Sequence, residues 1–218
     1  MLEIKQTNDG SATLFNPELN EHYHSTFGAY NESMHIFIKN GLLSSLNNNI
    51  GILEIGFGTG LNAILTYEIA LQKNLTIKYT GLELFPLNIE IISLLNYEKL
   101  IKPSNIAAFH KMHQLEWNIK TILNNQFHFE KINADLNQYA FTDSYDLIYF
   151  DAFGPDVQPE MWSGTIFKKL FATLNSKGTL VTYSAKGLVK ENLREAGFTV
   201  TRLQGPLGKR HIIRAIKS

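Results

Sequence analysis

The sequence contains no cysteine, which excludes disulfide bonds and thiolate metal sites. It contains no apolar run long enough to span a membrane, and its first residues, MLEIKQTNDGSATLF, lack the hydrophobic core of a signal peptide. Its net charge is zero, with 20 basic and 20 acidic side chains, so the protein as a whole does not attract polyanions. These absences predict a cytoplasmic protein.

The chain has enough apolar residues for one compact core. Its 218 residues are 44% hydrophobic and 11% aromatic, values that are typical of a folded domain and not of a disordered chain. No internal repeat, low-complexity tract or linker divides the sequence. We expect residues 1–48 to form an N-terminal arm and helix within the same domain as a core of residues 49–218.

Short apolar runs alternate with helical patterns along the chain. Strand patterns cover residues 49–55, 75–84, 127–133, 145–151, 178–184, 198–203 and 211–217. Helical patterns cover residues 31–42, 60–73, 86–100, 117–125, 165–174 and 186–195, and Pro86 is suited to a first helical turn. The alternation predicts an α/β fold with a mostly parallel sheet and helices on both of its faces.

Acidic side chains stand at the ends of several predicted strands. Glu54, Glu83, Asp135 and Asp151 all occupy such positions. Ligands of open α/β sheets bind beyond the carboxyl ends of the parallel strands. We therefore expect these acids to lie along one rim of the sheet, beside a bound ligand.

The first strand of the core runs into a glycine-rich loop, LEIGFGTGLN, that opens a helix. Gly56, Gly58 and Gly60 permit positive φ angles and let a ligand approach the backbone, and Asn62 completes the motif. Dinucleotide folds use similar loops, so NAD is an alternative. The spacing G-x-G-x-G and the nearby Glu54 favour S-adenosylmethionine, because a carboxylate repels a pyrophosphate but attracts a sulfonium and an ammonium group. We expect all five residues in the cofactor site.

Two further acids suit the same cofactor. Glu83 ends the second strand of the unit, where a carboxylate can accept hydrogen bonds from both ribose hydroxyls. Asp135, in INADLNQY, follows the next strand and could accept the adenine amino group. A helix or turn cap is the structural alternative for Asp135.

At these motifs the sequence resembles the family of tRNA-modifying methyltransferases that includes the methyltransferase domain of the bifunctional MnmC proteins and the stand-alone form, MnmD. The likeness covers nearly the whole chain, through HSTFGAYNESMHIFI, EIGFGTGLN, LELFPL, NADLNQY, DAFGPDVQPEMW, GTLVTYSAKGLVKENLREAGF and GPLGKRH. The glycine loop is common to many methyltransferases, whereas DAFGPDVQPEMW, SAKGLV and GKRH are more specific. The resemblance implies the Rossmann-like class I fold of S-adenosylmethionine-dependent methyltransferases.

The resemblance also implies an activity. It is the S-adenosylmethionine-dependent N-methylation of the aminomethyl group of 5-aminomethyl-2-thiouridine at the tRNA wobble position, which gives 5-methylaminomethyl-2-thiouridine. In the bifunctional proteins a C-terminal flavin-dependent oxidase domain generates the aminomethyl precursor. Since the sequence stops at Ser218, we expect other enzymes to supply that precursor.

The segment DAFGPDVQPEMW is expected to hold the reacting group and one wall of a uridine pocket. Asp151 would lie beside the methyl group and orient the amine, since an aspartate with a pKa of about 3.9 is a poor base for an alkylammonium ion. Pro155 would stiffen the wall. Phe153, Met161 and Trp162 would line the pocket, or alternatively belong to the core.

The C-terminal third is rich in basic residues, which outnumber acidic ones nine to two from Lys177 onward. This predicts a local basic face for tRNA phosphates, with an ordinary solvated surface as the alternative. The candidate phosphate contacts are Lys186, Lys190, Lys209, Arg210 and His211.

A few other residues have weaker signals. Tyr30 and Glu32 stand in the N-terminal stretch that resembles the family, where they could close over the site. His22 and His24 are possible metal ligands, but no cluster of further ligands accompanies them in the sequence. We therefore assign them no metal.

Two other functions fit parts of the pattern. An aminopropyltransferase acting on a small polyamine would share the fold and use acids to hold its substrate, but the Met-Trp segment and the basic C-terminal third argue against it. A non-catalytic RNA-binding module is the second alternative, and the intact glycine loop with its acids argues against that.

Overall fold

The computed structural model describes residues 1–218. The strands are β1 (Glu3–Gln6), β2 (Ala12–Asn16), β3 (Glu21–His22), β4 (Asn49–Ile55), β5 (Thr76–Glu83), β6 (Thr121–Asn124), β7 (Phe127–Asn133), β8 (Tyr145–Phe150), β9 (Leu174–Thr182), β10 (Thr199–Gln204) and β11 (His211–Ile216). The α-helices are α1 (Ala29–Ser33), α2 (Leu61–Lys73), α3 (Ile89–Ser93), α4 (Ile106–Gln114), α5 (Gly164–Thr173) and α6 (Gly187–Glu195). A π-helical stretch, Met34–Lys39, continues α1.

Eight strands form the central sheet, in the order β10-β11-β9-β8-β4-β5-β7-β6. The five strands from β9 to β7 pair in parallel, whereas β6 and β11 pair antiparallel with their neighbours. The chain starts this sheet at β4, places β5 on one side of it and later places β8 on the other. The crevice beyond the carboxyl ends of β4, β5 and β8 is therefore the expected ligand site of such a sheet.

Alternation along the strands supplies a core on each face of the sheet. In β8, Leu147 and Tyr149 point into one buried cluster, and Ile148 and Phe150 point into the other. The first cluster is completed by the π-helical stretch, α2 and α4, and the second by α5 and α6. The predicted α/β class, with helices on both faces, is confirmed.

Two of the predicted helices are wrong. The segment 86–100 forms only the short helix α3 and a 3₁₀ turn, and Pro86 precedes both, because the Asn88 side chain accepts from the Glu90 amide and begins the helix there. The segment 117–125 is not helical but ends in β6, which forms a hairpin with β7. In that turn the Asn124 side chain accepts from the Gln126 amide, as asparagine often does in turns.

The N-terminal arm is more ordered than its polar sequence predicts. It forms a three-stranded antiparallel sheet, β1-β2-β3. Ala12 and Leu14 of β2 are buried in the same cluster as the residues of β4 and α2. Asp9 ties the arm to α1, since its Oδ2 accepts from the Asn31 amide at 2.9 Å.

No helix in the structure is both long and apolar enough to cross a lipid bilayer.

Candidate functional site

A cavity of about 600 Å³ opens at the carboxyl ends of β4, β5 and β8. Its floor consists of the loops that follow these strands, and one wall comes from residues 16–27 of the N-terminal arm. The predicted site residues that line it are Gly56, Gly58, Asn62, Glu83, Asp135, Asp151, Phe153, Met161 and Lys209. The predicted site residues that do not line it are Glu54, Gly60, Pro155, Trp162, Lys186 and Arg210.

The glycine loop lets two strand ends meet. Gly56 has a φ of 86°, and a Cβ atom there would lie 2.6 Å from the carbonyl oxygen of Asp151. The Asp151 amide in turn donates to the carbonyl of Ile55 at 2.9 Å. A side chain at position 56 would therefore push Asp151 away from the end of β4, so glycine at this position sets the floor of the cavity.

Glu83 closes the glycine loop from the end of β5. Its carboxylate accepts from the amide of Gly58 at 3.0 Å and from the amide of Phe85 at 2.9 Å. Burial raises the pKa of Glu83, and these hydrogen bonds oppose the rise. The carboxylate has free lone pairs on the cavity side, because it accepts one amide on each oxygen.

Glu54 lies behind the rim and not on it. It is 1% exposed, and its carboxylate accepts from the Tyr79 hydroxyl at 2.7 Å and from the Asn62 amide at 2.9 Å. Burial raises the pKa of Glu54 well above its usual range, although both hydrogen bonds lower it. The expectation of four acids along one rim is thus wrong for Glu54, because its side chain points toward α2.

Asn62 joins the buried acid to the cavity. Its side-chain amide also donates to Oδ2 of Asp151 at 2.8 Å. The Oδ1 atom of Asn62 is buried and has no hydrogen-bond partner in the protein. A buried acceptor without a partner is unfavourable, so the free Oδ1 atom marks a place where a ligand donor would be stabilised.

Asp151 immediately follows β8 at the bottom of the cavity. Burial and the nearby charge of Glu32 raise its pKa to about 7, and the Asn62 hydrogen bond and the charge of Lys209 oppose the rise. A carboxyl group with this pKa can accept and release protons near neutrality, which an ordinary aspartate does not. The sequence did not predict this, because it does not show which groups surround the side chain.

The segment after Asp151 has one face in the cavity and another in the core. Phe153 and Met161 line the cavity. Trp162 is only 1% exposed, packs edge-on against Phe150 at 4.8 Å, and donates its indole N–H to the Phe153 carbonyl at 2.8 Å. Trp162 therefore belongs to the core, as the alternative had it, and supports the cavity wall from the core side.

Asp135 both faces the cavity and caps a turn, the two alternatives that its sequence position allowed. It lines the cavity, and its Oδ1 accepts from the backbone amide of Asn137 at 2.8 Å and from the Asn137 side chain at 2.9 Å. The Oδ2 atom is not engaged in these turn contacts.

Sequence reasoning considered Tyr30 and Glu32 of the N-terminal stretch but missed the wall that residues 16–27 supply. Tyr23 lies edge-on to Phe153, with 5.0 Å between ring centroids, and against Gly58. His24 is buried, its Nε2 lies 2.9 Å from the Thr59 hydroxyl, and burial lowers its pKa to about 4. The aromatic residues of the arm were the available signal, but no local pattern showed that they return to the sheet.

Two of the candidate phosphate contacts are paired with acids. Lys186 forms an ion pair with Asp156 at the surface. The Lys209 ammonium group lies in the cavity, 2.6 Å from the carboxylate of Glu32. Each of these two lysines is held by a carboxylate, whereas Arg210 is exposed to solvent. Glu32 lines the cavity, whereas Tyr30 does not.

Comparisons with known proteins agree with this architecture. A family profile described as "S-adenosyl-L-methionine-dependent methyltransferase" matches residues 97–218. Among solved structures, MnmC2 from Aquifex aeolicus has a TM-score of 0.81 at 24% identity, over 99% of this chain and 70% of that chain. Spermidine synthase from Thermotoga maritima has a TM-score of 0.60 at 14% identity, over 99% of this chain and 72% of that chain. At such identities these likenesses show the fold alone, and the fold is the predicted Rossmann-like one.

Curated relatives carry the name tRNA 5-methylaminomethyl-2-thiouridine biosynthesis bifunctional protein MnmC. The relative from Campylobacter hominis is 30% identical over 93% of this chain and 31% of its own length. The relative from Pseudoalteromonas atlantica is 29% identical over 89% of this chain and 30% of its own length. The chain thus spans about a third of the length of these relatives.

The profile match covers the strands and helices that follow the glycine-loop unit, including Asp151 and the wall after it. The chain therefore belongs to this family of S-adenosyl-L-methionine-dependent methyltransferases, and S-adenosylmethionine is its cofactor.

Proposed function

We propose that the protein methylates the aminomethyl nitrogen of 5-aminomethyl-2-thiouridine at the wobble position of tRNA, giving 5-methylaminomethyl-2-thiouridine. The names of the curated relatives and the specific motifs DAFGPDVQPEMW, SAKGLV and GKRH support this substrate. One structural observation carries the proposal: Asp151, with a pKa raised to about 7, lies at the bottom of a cavity beside the glycine loop. An amine nucleophile needs a proton acceptor at such a place.

The cavity fits S-adenosylmethionine at both ends of that molecule. The unpartnered Oδ1 of Asn62 can accept from the ammonium group of the methionyl end. The free lone pairs of Glu83 can accept from the ribose hydroxyls, and Oδ2 of Asp135 from the adenine amino group. Gly56 and Gly58 give the ligand access to the loop backbone.

Two of the predicted cofactor residues act indirectly in this proposal. Glu54 holds Asn62 in place through the hydrogen bond at 2.9 Å and does not touch the cavity. Gly60 has a φ of 71° and is the N-cap residue that precedes α2, so it positions the loop.

When bound, the cofactor supplies a methyl group on a positively charged sulfur, and this carbon is the electrophile. Asp151 orients the substrate amine by accepting one of its N–H hydrogens. The cofactor would supply its methyl carbon to the nitrogen lone pair, and the bond between that carbon and sulfur would break with its electrons kept by sulfur. The nitrogen becomes positively charged in this step, so a carboxylate next to it lowers the barrier and then accepts the proton that the product loses.

The uridine would enter between the N-terminal arm and the segment after Asp151. Tyr23, Phe153 and Met161 offer apolar surface for the base. Trp162 supports this wall through its hydrogen bond to the Phe153 carbonyl, and Pro155 limits the movement of the loop from outside the cavity.

Residues 1–48 and 49–218 would act as one methyltransferase domain, because the arm shares the core cluster and forms one wall of the cavity. The exposed Arg210, together with Lys186 and Lys190, would contact tRNA phosphates. A tRNA substrate would place the protein in the cytoplasm, in agreement with the sequence-based expectation.

Methyl transfer with purified components tests the function. We would incubate the protein and labelled S-adenosylmethionine with tRNA that carries 5-aminomethyl-2-thiouridine, and identify nucleosides by mass spectrometry. The proposal predicts a mass gain of one methyl group on that nucleoside, and loss of most of this product with Asp151→Asn. Aminopropylation of putrescine from decarboxylated cofactor, with no labelled tRNA, would instead support the aminopropyltransferase alternative.

A further inference from the structure

An ion pair stands at the edge of the cavity, between residues far apart in the chain. The Nζ atom of Lys209 lies 2.6 Å from Oε2 of Glu32, and the two side chains are 26% and 10% exposed. Lys209 comes from the loop between β10 and β11, and Glu32 comes from α1. The same ammonium group lies 5.1 Å from the centre of the Tyr183 ring.

Lys209 is the only lysine or arginine among the residues that line the cavity. The acids that line it are Glu18, Glu21, Glu32, Glu83, Asp135 and Asp151. Such a surplus of acids attracts a cationic cofactor and a cationic amine. It therefore also favours the protonated form of any amine that binds there.

A protonated amine cannot attack a methyl group, because its lone pair is occupied. Alkylammonium groups such as lysine have a pKa of about 10.4 in short peptides, far above neutrality. Asp151 alone would raise the pKa of a bound amine further, since an opposite charge favours the ammonium form. A fixed positive charge near the amine would act in the opposite direction.

We propose that Lys209 and Glu32 are positioning residues that set the protonation of the substrate amine and of Asp151. The positive charge of Lys209 disfavours the ammonium form of the bound amine. Glu32 holds the Lys209 side chain in place, and its negative charge partly offsets the charge of Lys209. This inference rests on the proposed function, because it assumes an amine substrate.

The proton balance is simple. The ammonium nitrogen of the incoming substrate loses one proton to the Asp151 carboxylate, and Asp151 passes it to water before methyl transfer. After transfer, the methylated nitrogen carries a positive charge and loses a second proton by the same route.

Other titratable groups lie near Lys209 and Asp151. His24 is neutral above its pKa of about 4, and burial raises the pKa of Tyr183 well above its usual range, which keeps the phenol neutral. Burial also raises the pKa values of Glu54 and Glu83. Glu21 is the further carboxylate on this side of the cavity, facing Tyr183 from β3.

Two variants separate this role from a purely structural tether. Lys209→Met and Glu32→Gln both remove the ion pair, so a tether between the C-terminal loop and α1 that depends on it would be weakened in both. The electrostatic role predicts opposite effects. Lys209→Met should move the acid limb of the pH–kcat profile to higher pH by about one unit, and Glu32→Gln should move it to lower pH by a similar amount. Lys209→Arg keeps the charge and is the matched control, with an unshifted profile.

A second measurement needs no substrate. Carbon NMR titration of the Asp151 carboxyl group in the labelled protein should give a higher pKa in Lys209→Met and a lower one in Glu32→Gln than in the wild type. The Asp151 pKa of each variant is compared with that of the wild type separately. If one variant does not fold, the other therefore still tests the inference.

The inference is supported if the acid limb of the pH–kcat profile and the Asp151 pKa both move up in Lys209→Met and both move down in Glu32→Gln. Loss of kcat in both variants without a displacement of the pH–kcat profile would overturn it and leave only a tether. Absence of methyl transfer by the wild-type protein would overturn the proposed function, and this inference with it. Normal wild-type transfer with unshifted variant profiles would overturn the inference alone.

Discussion

The side-chain amide of Asn62 donates one hydrogen to Asp151 at 2.8 Å and the other to Glu54 at 2.9 Å. One residue of α2 thus connects Asp151, which follows β8, with Glu54 near the carboxyl end of β4. Its remaining oxygen has no partner in the protein. Asn62 therefore couples the fold, the candidate catalytic carboxyl group and the expected position of the cofactor.

Replacing Asn62 by alanine should weaken both the fold and cofactor binding. The change removes the donor to Oε1 of Glu54 and to Oδ2 of Asp151, which costs about 1–3 kcal/mol of unfolding free energy, although the Tyr79 hydroxyl still donates to Oε2 of Glu54. Urea unfolding and calorimetric titration with the cofactor would measure the two effects. Gln72→Ala, at an exposed position of the same helix, is the control and should change neither. Wild-type stability and affinity in Asn62→Ala would contradict the coupling.

The raised pKa of Asp151 predicts a pH-dependent stability. Its folded-state pKa of about 7 exceeds the unfolded value, so the folded state binds the extra proton between about pH 4 and pH 7. The stabilisation is therefore complete below about pH 4, decreases as the pH rises, and is lost once the pH has passed 7. Asp151→Asn has no ionised form and does not lose this stabilisation. Its unfolding free energy should therefore rise relative to that of the wild type by about 2–4 kcal/mol between pH 4 and pH 8.

Chemical unfolding of both proteins across this pH range would measure that difference. The exposed Glu160→Gln variant is the control for the loss of a carboxylate and should follow the wild type. A difference between Asp151→Asn and the wild type that does not change with pH would show that Asp151 titrates normally.

Substitution of Glu83 should act on the cofactor. Glu83→Ala removes the acceptor of the Gly58 amide and, in our proposal, of the ribose hydroxyls. We expect cofactor affinity to fall by about 1–3 kcal/mol, the usual effect of losing charge-assisted hydrogen bonds. Calorimetry on the folded variant checks this, and an unchanged affinity would remove Glu83 from the site.

The exposed Arg210 should contribute to tRNA binding through a phosphate contact. Each lost contact flattens the dependence of log affinity on log salt by about 0.7–0.9. We expect this change in Arg210→Ala without a change in cofactor affinity, measured by filter binding across a salt series. Lys73→Ala, at the end of α2 remote from the glycine loop, should keep the wild-type slope. An unchanged slope in Arg210→Ala would place the tRNA surface elsewhere.

Much of the fold follows from local patterns that the sequence displays. The apolar runs of β4 and β8 and the glycine loop between β4 and α2 predict the centre of the sheet, its parallel order and the crevice where Glu83 and Asp151 lie. These features depend on periodicity and on strand ends, which are local. The roles assigned to the individual site residues remain predictions.

The features that sequence reasoning missed depend on contacts between distant segments. The ion pair joins residues 177 positions apart, and the Tyr23 wall exists only because the arm folds back over the glycine loop. The pKa of Asp151 depends on burial and on Glu32, neither of which its neighbours in the sequence display. The inward direction of Glu54 follows from its partner Tyr79 on the adjacent strand.

The most direct test of the central claim is nucleoside mass spectrometry of tRNA from cells that lack this protein. The account predicts accumulation of 5-aminomethyl-2-thiouridine and loss of its methylated form, with recovery on expression of the wild-type protein but not of Asp151→Asn. A normal level of 5-methylaminomethyl-2-thiouridine in the deficient cells, or full recovery with Asp151→Asn, would contradict it.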